Sequence, residues 1–326
     1  MSEKKATETV QKLESFYHES VSNKKREKPI LPRENIVEED SIGEEPASEA
    51  VEGIENVPGF DKSLFLQEPP APSPLDAEIE STPTSLQAEK HLVDAAYAEF
   101  PKESMRPEVI IGRDDRVPVQ NTTAFPWCSI CHLLIESARG LRFKGTGWFC
   151  GPHTLITAGH CVYMHNQGGW VRHIKISAGR QGLHYPYGSA FSASFYSVRG
   201  WIQKKGKEYD YGAIILPDDT LGNRVGWFGF SCLTDDTLDN MLLNLSGYPH
   251  DKPGTQWYHA NRIVSTSDSK VYYQIDTSKG QSGSPVWREH NGHRHVVAIH
   301  TTGQRWSNSG IRIMRYVFDN LQAWKR

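Results

Sequence analysis

The 326 residues carry 36 Lys and Arg against 39 Asp and Glu, a net charge of −3 that conceals an unequal split. Residues 1–108 hold 24 of the acids and 12 of the bases, so that portion carries −12 and residues 109–326 carry +9. No run of 18 apolar residues is present, which excludes a membrane-spanning helix. No aromatic-and-basic stacking motif accompanies the basic portion, which sets nucleic acid aside as a partner.

The length suffices for one large or two modest domains. The first 20 residues, MSEKKATETVQKLESFYHES, lack the short apolar core of a secretory signal. Residues 1–108 are rich in Glu, Ser and Pro, as in EEDSIGEEPASEAVEG and QEPPAPSPLDAEIESTPTS. Such composition buries too little apolar surface to offset chain entropy, so most of this segment is expected to be mobile. Within it, Leu92–Phe100 is the stretch that could form a helix on contact with the rest. Two portions of opposite sign can attract one another; the plainer alternative is a solvated acidic tail.

From Val109 onward the pattern changes. Short apolar runs at Ser129–Ile135, Phe143–Phe149, Ile174–Ser177, Ala213–Leu216, Leu242–Ser246, Val271–Ile275 and Val296–His300 are separated by Gly, Asn, Asp and Pro. This spacing predicts an all-β barrel or sandwich. Val317, Leu321 and Trp324 then fall at i, i+4 and i+7, one face of a closing helix.

Three segments carry chemistry. TAGHC (157–161) holds His160, DYGAIIL (210–216) opens on Asp210 at the mouth of a buried strand, and GQSGSP (280–285) holds Ser282 between glycines. A serine hydroxyl is a weak nucleophile near neutral pH and needs a base. Histidine suits that task, and a buried carboxylate fixes its tautomer and stabilises the imidazolium. The glycines permit a tight turn in which the N–H groups of Gly280 and Ser282 converge as an oxyanion hole. Each segment alone is a weak signal, since a G-x-S-G turn is most often a plain loop. In the order His, Asp, Ser within an all-β chain they reinforce one another.

Residues 109–326 resemble the bacterial glutamyl endopeptidases of the trypsin-like superfamily. The matching stretches are IGRDDR with NTTAFPW, GTGWFCGPHTLITAGHCVY, YPYG, DYGAIIL, GNRVGWFGFS, SGYPHDKPGTQW, DTSKGQSGSPV, AIHTTG and VFDNLQAWK. The resemblance implies two six-stranded antiparallel β-barrels with a cleft between them, 109–216 carrying His160 and Asp210 and 217–326 carrying Ser282. It implies peptide-bond hydrolysis through an acyl-enzyme, on protein or peptide substrates, by a secreted monomer, although no signal is visible. Residues 1–108 would then be a propeptide-like segment removed by cleavage near Glu108–Val109. The family's pocket residues fall on Thr277 and His300, and the freed amine of Val109 is the third implied donor to a substrate Glu or Asp carboxylate. A protonated His300 would supply a charge-assisted hydrogen bond to offset lost hydration; the bland alternative is that His300 ends a core strand and Thr277 satisfies a turn. Gln281 stands where trypsin-type zymogens have an aspartate for the new amine. Lys279 adds positive potential near the pocket or points to solvent. A protease of different primary specificity, or a binding protein on a protease fold, are the rival readings.

Five cysteines, Cys128, Cys131, Cys150, Cys161 and Cys232, leave at least one thiol unpaired within the chain. In many members of the resembled family the cysteine after the active histidine pairs with one at the position of Gly145, which is absent here. Folding the Cys131–Cys150 hairpin about Glu136–Gly140 sets Cys131 opposite Gly145 or Thr146, which favours Cys131–Cys161, with Cys150–Cys161 second. Cys128-x-x-Cys131-His132 invites a zinc reading, but a structural site takes four ligands and no second pair of suitable spacing accompanies it. Neither metal nor cofactor is expected.

Overall fold

The computed structural model describes residues 3–24, 38–45, 53–62, 92–99, 110–303 and 307–326. The apolar runs pair into two sheets, as their spacing predicts. The first runs in the order Phe195–Val198, Gly212–Ile215, Thr154–Thr157, Arg142–Gly151, Ile130–Glu136, His173–Ala178 and Ala190–Ser192. Its inner face is set by period-two alternation: Cys131, Leu133 and Ile135 point into a core with Leu155, Ile174, Ile176 and Ile214. This sheet is open, a half-barrel.

The second sheet closes. Pro285–His290, Leu242–Gly247, Trp257–Thr266, Lys270–Tyr273, Asn308–Arg312 and His293–Gly303 form a ring, completed by pairing of the first and last. Leu243, Leu245, Val271, Val286 and Val297 fill it. Gly229–Cys232 joins His293–Gly303 in parallel register, a departure from the all-antiparallel expectation.

An aromatic seam joins the sheets. Trp148 from the first meets Phe228 at 5.9 Å between ring centroids, and Phe228 meets Trp287 of the second at 5.4 Å. Such rings bury large apolar areas and favour these tilted geometries, so the seam fixes how the sheets face each other. The helix Arg315–Trp324 buries Val317, Leu321 and Trp324, the stripe read from the sequence.

The described stretches of the acidic segment pack on the basic body. Ser20–Ser22 extends the first sheet beside Phe195–Val198, and Glu39–Asp40 extends the second beside Gly229–Cys232. The buried Glu55 carboxylate accepts from Arg294 Nε at 2.5 Å and Nη2 at 3.0 Å, and from the Trp287 indole at 3.2 Å. Opposite charges therefore meet in specific pairs. The mobility expected for the remainder of residues 1–108 concerns positions outside those described. The helix expected within Leu92–Phe100 appears as Ala95–Glu99, and Val93–Asp94 ahead of it lies parallel to Phe143–Lys144.

All five cysteines are buried free thiols, so the expected Cys131–Cys161 bridge, and the second choice of Cys150–Cys161, are both corrected. The reason is register. The hairpin loop sits at Ser137–Leu141, later than assumed, so Leu133 faces Gly145 and Cys131 faces Gly147. Cys161 does approach the expected place: a Cβ on Gly145 would lie 2.8 Å from its Sγ. Cys150 belongs to a different core cluster from Cys131 and Cys161.

Candidate active site

His160 sits on the short helix Gly159–Val162, reached from the strand Thr154–Thr157. Gly159 is required by crowding, since a Cβ there would lie 3.0 Å from both the Trp201 ring and the Tyr211 nitrogen. Asp210 precedes the strand Gly212–Ile215, which pairs with Thr154–Thr157, so adjacent strand ends carry the two side chains. The Asp210 carboxylate accepts from His160 Nδ1 at 2.9 and 3.1 Å, and from the His160 backbone N–H at 2.9 Å. Both are buried. Burial pulls the imidazole pKa down, but the Asp210 charge pulls it up and wins, holding His160 well above its usual 6.5.

The Ser282 turn is pinned from the first sheet. Thr146 N–H donates to Ser282 O at 2.9 Å, its hydroxyl donates to Gly280 O at 2.9 Å, and Thr157 Oγ1 donates to Thr146 O at 2.7 Å. Gly280 and Gly283 have φ of +98° and +88°, values that L side chains rarely adopt. A Cβ on Gly283 would sit 2.2 Å from Thr146 O and 2.9 Å from Ala158 N, which shows how tightly this turn lies against the approach to His160. Ser282 Oγ is 3.5 Å from Thr301 O. Gln281 is buried and its amide oxygen accepts from Ser278 N–H at 2.8 Å, so this uncharged side chain holds the turn internally.

Thr277 and His300 are both fully buried. The Thr277 hydroxyl has no hydrogen-bond partner among the described residues. Leaving a buried hydroxyl without a partner is costly. His300 Nδ1 lies 2.7 Å from the Tyr273 hydroxyl. Burial, reinforced by the Lys270 charge, lowers its pKa to about 3, so His300 is neutral in this environment. The nearby cation is Lys270, whose Nζ donates to Thr301 Oγ1 at 3.0 Å; burial lowers its pKa to about 8.

Val109 lies outside the described residues. Ile111 and Asp115, just after it, donate their backbone N–H groups to the Asp276 carboxylate at 2.7 and 3.1 Å. Arg116 anchors the same stretch, with Nε 2.8 Å from Asp114 and Nη2 2.6 Å from Asp251. The IGRDDR motif is thus a tether beside Thr277. Asp276 was missed in the sequence although it adjoins Thr277; burial raises its pKa to about 7. Lys279 is half-buried, and its carbonyl accepts from His250 N–H.

The family model named Trypsin matches residues 121–324, and the chain belongs to the trypsin family of serine proteases. Within that family its likeness is to glutamyl endopeptidases. A protein of that name from Bacillus licheniformis is 42% identical over 225 residues, 66% of this chain and 69% of the relative. A Bacillus subtilis protein named extracellular metalloprotease is 39% identical, covering 68% of this chain and 71% of the relative. A solved glutamyl endopeptidase structure superposes with a TM-score of 0.61 at 26% identity, covering 66% of this chain and 98% of that one. The chain is a peptide-bond hydrolase acting on protein or peptide substrates. Among the described residues, no group of three or more His, Cys, Asp or Glu side chains is arranged to hold a metal ion.

Proposed function

We propose that Ser282, His160 and Asp210 act as nucleophile, base and orienting carboxylate of an endopeptidase that cleaves after glutamate, or aspartate. The observation that carries the catalytic roles is the double contact of Asp210 on His160 beside the glycine-flanked Ser282 turn. As Ser282 Oγ attacks the carbonyl, its proton passes to His160 Nε2; the imidazolium then protonates the leaving amine. Gly280 and Ser282 N–H groups stabilise the oxyanion. Water enters next, again deprotonated by His160, and frees the acyl group.

Selectivity rests on Thr277, His300 and the amine of Val109. Thr277 offers a buried hydroxyl without a partner among the described residues. His300, neutral without substrate, gains a proton more readily once a carboxylate lies beside it. The amine freed by cleavage near Glu108–Val109 would emerge two residues before Ile111, which Asp276 already holds next to the pocket. The half-barrel unit, 109–216, and the barrel unit, 217–326, flank the cleft, and the enzyme works as a secreted monomer without a cofactor.

Matched peptides differing only as Glu or Gln before the scissile bond test the selectivity. The Glu peptide is expected to be cleaved faster, and Thr277→Val should lower the Glu-to-Gln ratio of kcat/KM roughly tenfold by removing one hydrogen bond to a charged group, with Gln turnover retained. Equal rates for the two peptides in the unaltered enzyme would end the glutamate reading.

A further inference from the structure

The oxyanion donor Gly280 N–H is already engaged, because it donates to the Asp94 carboxylate. Asp94 is only 1% exposed and belongs to the acidic segment, 186 residues away in sequence. Three features set it there. Val93–Asp94 pairs in parallel with Phe143–Lys144, next to the stretch of strand whose Thr146 holds the Ser282 turn. The Asp94 carboxylate also accepts the Ala96 N–H at 2.5 Å, which starts the helix Ala95–Glu99. That helix packs on Gly159–Val162, the helix bearing His160.

The far end of the helix is held in a built carboxylate site. Glu99 is fully buried. His165 Nδ1 lies 2.5 Å from its Oε1, Lys205 Nζ lies 3.0 Å from the same oxygen, and Asn166 N–H donates to Oε2 at 3.3 Å. Asn166 Nδ2 and Lys205 Nζ also donate to the Glu99 carbonyl. Lys205 reaches this contact from the left-handed cap, φ 54°, that ends the helix Arg199–Lys204. Two carboxylates five residues apart are therefore read by the body, one at the oxyanion donor and one at the His165–Lys205 site.

We propose that Leu92–Glu99 is a built-in ligand of the substrate cleft, its Asp94 carboxylate standing where the reaction's oxyanion would form. The binding surface it reveals, Phe143–Lys144, Gly280 N–H and the His165, Asn166 and Lys205 cluster, fits an acidic peptide of this spacing. A carboxylate at Gly280 presents no scissile carbonyl, so the segment occupies the cleft without being cut there. It carries negative charge to donors preorganised for negative charge, which makes it a mimic of the transition state's charge. It follows that scission ahead of Val109 does not by itself open the site, because the contacts of Leu92–Glu99 all lie upstream of the cut. The inference rests on the catalytic reading of Ser282 and Gly280 given above.

The test uses the full chain with Glu108→Gln to hold it intact, and reads the rate of covalent labelling by diisopropyl fluorophosphate through intact mass. The parent chain is expected to label slowly, Asp94→Ala roughly ten- to thirtyfold faster, and Glu99→Gln several-fold faster, as charge-assisted hydrogen bonds are lost. Gain of labelling cannot come from misfolding, which would abolish it. Equal and rapid labelling of the parent and Asp94→Ala overturns the inference while leaving the serine-protease roles standing. Labelling of neither chain overturns those roles and the inference with them.

Discussion

Asp210→Asn is expected to lower kcat about 10⁴-fold with the fold retained, the loss seen when the orienting carboxylate of a Ser-His-Asp triad is made an amide. Asp210 accepts from both the ring and the backbone N–H of His160. An amide presents a donor where one of these acceptors stood, so the ring is left in the wrong tautomer or turned away. The pH profile gives a second readout with a definite sign. In the proposed roles His160 must be neutral to take the proton from Ser282, and Asp210 holds its pKa well above 6.5 against the opposing effect of burial. The acid limb of kcat/KM should therefore lie above pH 6.5 in the parent enzyme. In Asp210→Asn the largest raising contribution is gone and burial remains, so the residual activity should persist to lower pH. Rate measurements from pH 5 to 9 decide this; a variant within tenfold of the parent would remove Asp210 from its role.

Gly145→Cys is expected to form a bridge with Cys161 and to stabilise the chain by about 3 kcal/mol, the loop-closure value for roughly 15 residues. A Cβ at position 145 lies 2.8 Å from Cys161 Sγ, close to the separation of about 3 Å between a Cβ and its partner's sulfur in a disulfide. The substitution also places no side chain in a foreign environment, because the other near neighbours, Ile135 Cδ1 and Ser282 O, stand at 3.6 Å. Thiol counting after denaturation should give four free cysteines in place of five, and urea unfolding should shift to a higher midpoint that returns to the parent value under reductant. Five cysteines plus a sixth, all titrating as thiols in the oxidised protein, would contradict it.

Much of this molecule was legible because its signals are local. The GQSGSP segment specifies its turn through glycines at positive φ, TAGHC keeps Gly159 where a side chain would clash, and DYGAIIL places Asp210 just ahead of a buried strand. The closing helix was readable from three apolar positions. What could not be read depends on distances between segments. The hairpin loop beginning at Ser137 shifts the partner of Cys131 from Gly145 to Gly147, which reverses a disulfide argument while leaving the strands in place. The short motif around His300 does not reveal its full burial near Lys270, which lowers its pKa. Asp94 sits in an acidic, Pro-rich portion with little periodicity, and only the folded chain reveals that its carboxylate meets Gly280. Composition measures the average tendency of a segment, and eight residues with two well-placed charges can escape that average.

The acidic portion supplies the outermost strand on both sheets, Ser20–Ser22 at one and Glu39–Asp40 at the other. Removal of these two strands, as the proposed cleavage near Glu108–Val109 would allow, would uncover two rows of backbone donors and acceptors at once, along Phe195–Val198 and Gly229–Cys232. A chain without them would have open rims at which an extended peptide or a sister copy could pair.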